Sequence, residues 1–332
     1  MKGGNKMEPL RFGIVGTGTI ARRFAEAVRR VPGAALTAVA SRTATRAEAF
    51  GDRYEIRHRF GSYEAMAASD AIDAAYIAVP HAGHKPCAML MMAHGKHVLC
   101  EKPMSINLAE AEAMFACAEQ NGVLLTEGMW GRLVPGTLRM LELVKSGALG
   151  EIRGVEGRFC YAMDADEMDS RLLVNALGGG ALLDVGCYGL HFADWYLGHD
   201  VAHVSAEADF YHDTDCHTCV LLKYENGAVA DLSAATLLKK PNEGYLYGTK
   251  GFALLSRFYA PEEIVLERGN GTERIAVPYA GNGFEEQIAH FCDCVREGLL
   301  ESPLLPHSET LRVIALSDRI RQIIGLRYPQ DG

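Results

Sequence analysis

The feature that most constrains this chain is a short apolar strand running straight into a glycine turn and a helix, Phe12-Gly13-Ile14-Val15-Gly16-Thr17-Gly18-Thr19-Ile20-Ala21. In a G-x-G-x-x-A turn the first glycine permits the tight bend, the second lets the backbone approach a pyrophosphate, and the alanine lets the helix pack close to the sheet. The unpaired N–H groups of the helix N-terminus then face the anion. Glycine turns are common, but this one sits at the first β-α junction of a β-α-β unit, the context that marks a dinucleotide site. Gly16, Thr17, Gly18, Thr19 and Ile20 are therefore expected to hold the cofactor.

The second strand ends in Val39-Ala40-Ser41-Arg42, where an NAD enzyme places an acidic residue on the ribose hydroxyl. No carboxylate is there. Ser41 and Arg42 offer a hydroxyl and a guanidinium, which suit a 2′-phosphate, so the expected cofactor is NADP, with NAD as the alternative if Arg42 is only a solvated loop residue.

Up to about Leu149, short apolar runs alternate with helix-like stretches, the pattern of repeated β-α units and a doubly wound parallel sheet. Strands are expected at 10–15, 36–40, 57–60, 74–78, 97–99 and 123–126, with helices at 20–30, 43–52, 84–94 and 108–121. Gly95 and Gly122 close the last two helices as left-handed caps. From Gly150 the period lengthens into strands at 151–161, 201–210, 216–224 and 228–236, with further strands at 243–247, 253–256, 264–267 and 274–277. Asn226-Gly227 is a hairpin turn. Two helices, 283–297 and 307–324, end the chain. The expectation is an α/β Rossmann domain, 1–127, followed by an α+β domain, 128–332, with an open, mostly antiparallel sheet and a last helix that packs back on the first domain.

Composition excludes several classes. The chain has 332 residues, a formal charge of −9 and no clustered basic surface for nucleic acid or anionic lipid. No apolar run reaches the roughly 18 residues of a membrane span, and the first residues lack the apolar core of a signal peptide, so a cytoplasmic protein is expected, with Met7 as a candidate start. Nine cysteines, an odd number spread through apolar segments, fit a reduced compartment. The stretch from His212 to Cys219 holds four imidazole or thiol groups. On a strand, however, Cys216 and Cys219 point to opposite faces, so no metal site is expected.

Three further segments carry chemistry. Val79, Pro80, His81 and His84 follow the fourth strand, where loops of such sheets meet the ligand crevice. Glu101-Lys102-Pro103 follows the fifth, and a lysine in a partly dry pocket beside a cationic ring is expected to have its pKa lowered toward neutrality. The run Gly178-Gly179-Gly180 leads into a helix on which Asp184 and Tyr188 are four apart, hence on one face, with His191 on nearly the same stripe. Asp184 would also suit a helix N-cap. Trp130, Arg132, Arg158 and Arg171 are candidates for shaping a substrate pocket, and His191 for a base.

The glycine turn, the Glu-Lys-Pro tripeptide at 101–103 and the G-G-G-x-x-x-D-x-G-x-Y block at 178–188 together resemble the glucose-fructose oxidoreductase, inositol dehydrogenase and MocA (Gfo/Idh/MocA) family. Thr126-Glu127-Gly128-Met129-Trp130, Ser170-Arg171-Leu172 and Ser302-Pro303-Leu304 look closest to its dihydrodiol dehydrogenase and NADP-dependent xylose dehydrogenase branch. The resemblance implies hydride transfer between nicotinamide and a hydroxyl-bearing carbon of a sugar, a diol or a related carbonyl compound. It implies that Lys102, Asp184 and Tyr188 line the reaction site, with tyrosine where inositol dehydrogenases carry a histidine. Tyr188 is then expected to exchange the proton, Lys102 to assist it by charge, and Asp184 to orient the substrate. The resemblance also implies a homodimer, or a dimer of dimers, that covers the broad second sheet. Two rivals remain at this point: a cofactor-bound ligand sensor without turnover, and redox-neutral glycoside or elimination chemistry.

Overall fold

A computed structural model describes residues 8–164, 167–168, 170–269 and 271–332; Met7, the candidate start, lies outside them. The first sheet is wholly parallel. Its strands are β1 (Leu10–Val15), β2 (Ala34–Ala40), β3 (His58–Phe60), β4 (Ala74–Ile77), β5 (His97–Glu101) and β6 (Leu125–Gly128), in the order β3-β2-β1-β4-β5-β6. Helices α1 (Thr19–Val28), α2 (Ala44–Arg53), α3 (Tyr63–Ala67), α4 (His84–Ala93), α5 (Leu108–Asn121) and α6 (Pro135–Lys145) alternate with these strands or follow them.

Because successive strand residues face opposite sides, the buried strands carry two apolar faces. Phe12, Ile14 and Tyr76 pack with Phe24 of α1 on one side. Val15, Ala75 and Ile77 pack with Met91 of α4 and Met114 of α5 on the other. The sequence pattern does not mark α3 or α6. The first is a five-residue turn begun by a Ser62 side-chain cap, and the second starts at Pro135, whose fixed φ suits a first helical position.

The second sheet has eight strands: β7 (Ile152–Cys160), β8 (Val201–Tyr211), β9 (Thr214–Tyr224), β10 (Val229–Ala235), β11 (Glu243–Gly248), β12 (Gly251–Ser256), β13 (Glu263–Arg268) and β14 (Gly271–Ala276). Their order is β14-β13-β12-β11-β7-β10-β9-β8, antiparallel throughout except where β7 lies parallel to β10. At the expected hairpin, Gly227 has φ of +86° and donates its N–H to Tyr224 O over 2.9 Å. Helix α7 (Cys187–Leu197) covers the inner face of this sheet.

Helices α8 (Glu285–Arg296) and α9 (His307–Ile324) return to the first sheet. Phe291 of α8 packs 5.6 Å from Phe12, and Asp318 of α9 accepts from the Leu108 N–H that opens α5. No helix among the described residues is long and apolar enough to cross a membrane.

Candidate active site

Strand order reverses between β2 and β4 on the two sides of β1, and in such sheets ligands bind at the carboxyl ends beside that reversal. A cleft of about 890 Å³ lies there, lined by Gly16, Thr17, Gly18, Thr19, Ile20, Ser41, Arg42, Val79, Pro80 and Arg171. Gly16 has φ of +107°, and a Cβ on it would lie 2.4 Å from Ala78 O, so only glycine makes this turn. A Cβ on Gly18 would meet nothing within 4 Å: its backbone faces open space, as close approach of a pyrophosphate requires. Arg22, Arg23, Arg42, Arg46, Arg53 and Arg171 all line the cleft. That positive lining, with the exposed Arg42 beside Ser41 at the end of β2, fits a dinucleotide carrying an extra phosphate.

Two distant segments converge just past the carboxyl end of β5, near Arg171 of the cleft lining. The Lys102–Pro103 peptide bond, just past β5, is cis. The Lys102 ammonium donates to both the carbonyl and Oδ1 of Asp184, the second over 3.2 Å. It also lies 5.2 Å from the centre of the Tyr188 ring. Asp184 is not an N-cap. It sits inside a π turn, Leu182–Gly186, that precedes α7, a local widening often found at functional sites. Asp215 of β9 caps this turn from outside, accepting from Leu182 N–H over 2.7 Å. Gly180, at φ of +121°, leaves room for that carboxylate, since a Cβ there would fall 2.1 Å from Asp215 Oδ1.

The charges in this cluster differ from expectation at Lys102. Burial alone would lower its pKa, but the acidic neighbours, Asp184 foremost, together outweigh burial and raise it, so Lys102 stays an ammonium instead of approaching neutrality. The sequence pattern could not show this, because the partner lies 82 residues away. Burial opposes ionisation of Asp184 as well. Lys102, with Arg171, overrides it and draws the carboxyl down to about 2. Burial holds the Tyr188 phenol above its ordinary range, with Lys102 pulling the other way, so Tyr188 keeps its proton at neutral pH.

Several expected residues stand elsewhere. His191 does not reach the pocket: it is 1% exposed, with Nε2 3.3 Å from Glu127 and Nδ1 3.2 Å from Glu309. Arg132 points along α7 toward Trp195, its guanidinium 5.7 Å from that ring, two helical turns beyond Tyr188. Arg158 lies on the outer face of the second sheet between Glu156 and Glu243. His84 is fully buried behind the cleft, its ring nitrogens against the carbonyls of Pro103 and Val79, and burial pulls its pKa down to about 4. Glu101 is likewise buried; its carboxylate accepts from the Tyr76 hydroxyl and the Lys102 N–H.

Other residues are better placed. His81 is kept neutral by burial, with Arg171 adding to the effect, and its Nδ1–H donates to Gly178 O over 2.6 Å, tying the first domain to the glycine run. Trp130 is buried, and its Nε1–H donates to Tyr188 Oη over 3.0 Å. Tyr161, which the motifs did not single out, donates to Asp184 Oδ2 over 3.1 Å. Beside it, Phe159 and Tyr259 stack at 4.0 Å, and both rings lie within 5.6 Å of Tyr188. These aromatics come from the end of β7, the residue just past it and the loop after β12; only pairing within the folded second sheet brings them together. Among the described residues no group of three or more histidine, cysteine or acidic side chains could hold a metal ion.

Residues 10–129 match a family model described as an oxidoreductase family with an NAD-binding Rossmann fold, and residues 137–254 match the GFO/IDH/MocA C-terminal domain. The mouse protein named trans-1,2-dihydrobenzene-1,2-diol dehydrogenase is 34% identical over 335 residues, covering 97% of this chain and 99% of that protein. The human protein of the same name is 31% identical with the same coverage. Among solved structures, the 3-ketoreductase KijD10 from Actinomadura kijaniata, in complex with NADP and TDP-benzene, superposes with a TM-score of 0.88 at 29% identity, covering 96% of this chain and 98% of that one. A levoglucosan dehydrogenase shares the fold, with a TM-score of 0.87 at 18% identity over 97% of this chain and all of that one.

Proposed function

This chain belongs to the Gfo/Idh/MocA oxidoreductase family, and from that premise we propose that it is an NADP-dependent dehydrogenase or reductase acting on a hydroxyl-bearing carbon of a sugar, diol or related carbonyl compound. The observation that carries this reading is the convergence of the Lys102 ammonium on Asp184 beneath the Tyr188 ring, near Arg171, which lines a cleft that fits a dinucleotide.

When bound, the nicotinamide supplies or accepts the hydride; the chain's own residues handle the proton and the geometry. Tyr188 Oη already accepts one hydrogen bond, from Trp130, so its own hydrogen is free to point at a substrate oxygen. In the reducing direction Tyr188 donates that proton to the carbonyl oxygen, while the nearby Lys102 charge stabilises the oxygen as negative charge develops there. In the oxidising direction the phenolate must form first, and Lys102 favours it. Asp184 holds the Lys102 side chain in place through two hydrogen bonds and orients the substrate hydroxyl. The stacked pair Phe159 and Tyr259 offers a flat apolar wall to a ring-shaped substrate. Arg42 and Ser41 read the 2′-phosphate, and NAD is the weaker alternative.

The dihydrodiol dehydrogenase relatives and the NADP-bound ketoreductase support both the reaction type and the cofactor. Following NADPH absorbance against aldoses, inositols, dihydrodiols and dicarbonyls tests it: turnover on a hydroxyl or carbonyl substrate supports the assignment, and none across the panel removes it. The same reading places the protein in the cytoplasm. It also pairs two copies through the outer face of the second sheet, where Leu221, Tyr247 and Phe252 are each at least 36% exposed.

A further inference from the structure

His191, Glu127 and Glu309 form a buried bridge that the chemistry above does not use. Glu127 is at the end of β6, His191 one turn past Tyr188 on α7, and Glu309 in the first turn of α9. The Glu127 carboxylate accepts from Met104 N–H over 3.1 Å and from the Thr310 hydroxyl over 2.9 Å, and its Oε2 is 3.3 Å from His191 Nε2. On the far side, Glu309 Oε1 meets His191 Nδ1 at 3.2 Å and accepts from Trp195 Nε1–H over 2.5 Å.

Met104 is two residues past Lys102, and His191 is three residues past Tyr188. The bridge thus joins the backbone that carries the ammonium to the helix that carries the phenol. We propose that the Glu127–His191–Glu309 bridge is a positioning element that sets where Lys102 stands relative to Tyr188; this rests on the oxidoreductase reading of that pair.

The Lys102–Asp184 contact alone does not fix that separation, because a lysine stem of four carbons reaches the same acceptor from several rotamers. Anchoring the backbone beyond Pro103 to α7 removes that freedom. Burying ionic groups is also an expensive way to fill space, since apolar side chains of the same volume do so without a desolvation penalty. Both ring nitrogens of His191 face carboxylate oxygens, and each member of the bridge sits on a different element. Such an arrangement specifies a relative placement of β6, α7 and α9.

The test uses the full chain in a Trp195→Phe background, which leaves Trp130, bonded to Tyr188, as the remaining one of two tryptophans. Because Trp195 donates to Glu309, this background is first compared with the unmodified protein in kcat. His191→Gln and Glu127→Gln are each compared with that reference protein. His191→Gln is expected to shift the Trp130 emission and to lower kcat by roughly tenfold to a hundredfold, the scale of a small misplacement, with KM and the NADPH Kd nearly unchanged. Glu127→Gln, which keeps an oxygen for Met104 and Thr310, is expected to show the same changes more weakly. A lowered melting temperature with Trp130 emission and kcat both at the reference values would overturn the proposal. Should His191→Gln fail to fold, Glu127→Gln decides by the same two readouts. Absence of turnover by the unmodified protein on the whole substrate panel would count against the oxidoreductase reading, while the Trp130 emission still decides for or against the bridge.

Discussion

Trp130 Nε1–H donates to the phenol oxygen of Tyr188 over 3.0 Å, which fills one acceptor position on Tyr188 and leaves its own proton free for a substrate. Trp130 comes from the segment after β6 and Tyr188 from α7, so the bond ties the end of the first sheet to the helix that covers the second.

Replacing Tyr188 by Phe keeps the ring over Lys102 and removes the hydroxyl, both its proton and the acceptor that Trp130 uses. We expect kcat to fall about a hundredfold to ten-thousandfold, the usual worth of a positioned acid or base, with NADPH affinity unchanged by fluorescence titration. Lys102→Met should be worse, since charge and hydrogen bonds go together. Because burial keeps the phenol above its ordinary range, oxidation should quicken as pH rises from neutrality into the alkaline region, while reduction should not. A Tyr188→Phe enzyme with full kcat at every pH would remove the proton role.

Arg42→Ala should raise the NADP Kd by about tenfold or more, the worth of a charge-assisted contact to phosphate, and leave the NAD Kd within about twofold. Isothermal titration with both nucleotides measures it. Equal affinities in the unmodified protein would leave Arg42 without a role.

His191 gives stability a characteristic pH dependence. Burial lowers its pKa, but Glu127 and Glu309 outweigh burial and raise it to about 10 in the folded chain, above the ordinary value of 6.5. A raised pKa means the folded state binds the extra proton, so this stabilisation is complete below about pH 6.5 and is lost as pH climbs through the folded value. The melting temperature should therefore fall between about pH 6.5 and 10, and His191→Gln should flatten that slope. Identical slopes in the two proteins would contradict the assignment.

Leu221→Asp and Phe252→Asp place charge on the exposed outer face of the second sheet. Light scattering at micromolar concentration should report a dimer for the unmodified chain and a monomer for the double variant. A monomer from the outset would sink the pairing.

What was legible in the sequence was mostly local. The turn at Gly16 to Ala21, the hairpin at Gly227 and the last helix each follow from neighbouring residues, and α9 spans the expected 307–324. The cluster of Lys102, Asp184 and Tyr188 was legible because its spacing matches a family pattern. The charge on Lys102 was not, since it depends on a carboxylate brought in by folding. His191 was misplaced for the same reason: a stripe position on α7 says which way a side chain points, whereas its second partner, Glu309, lies 118 residues further on. Tyr161 and Tyr259 carry no motif, and their arrival beside Asp184 and Tyr188 requires the register of the second sheet.

The stacked wall of Phe159 and Tyr259, with Tyr161, belongs wholly to the second domain, while the glycine turn and Arg42 belong to the first. Under the proposed function, variation can reshape substrate choice strand by strand without disturbing the grip on the redox currency, and a lineage built on this scaffold would change its diet while keeping its electron supply.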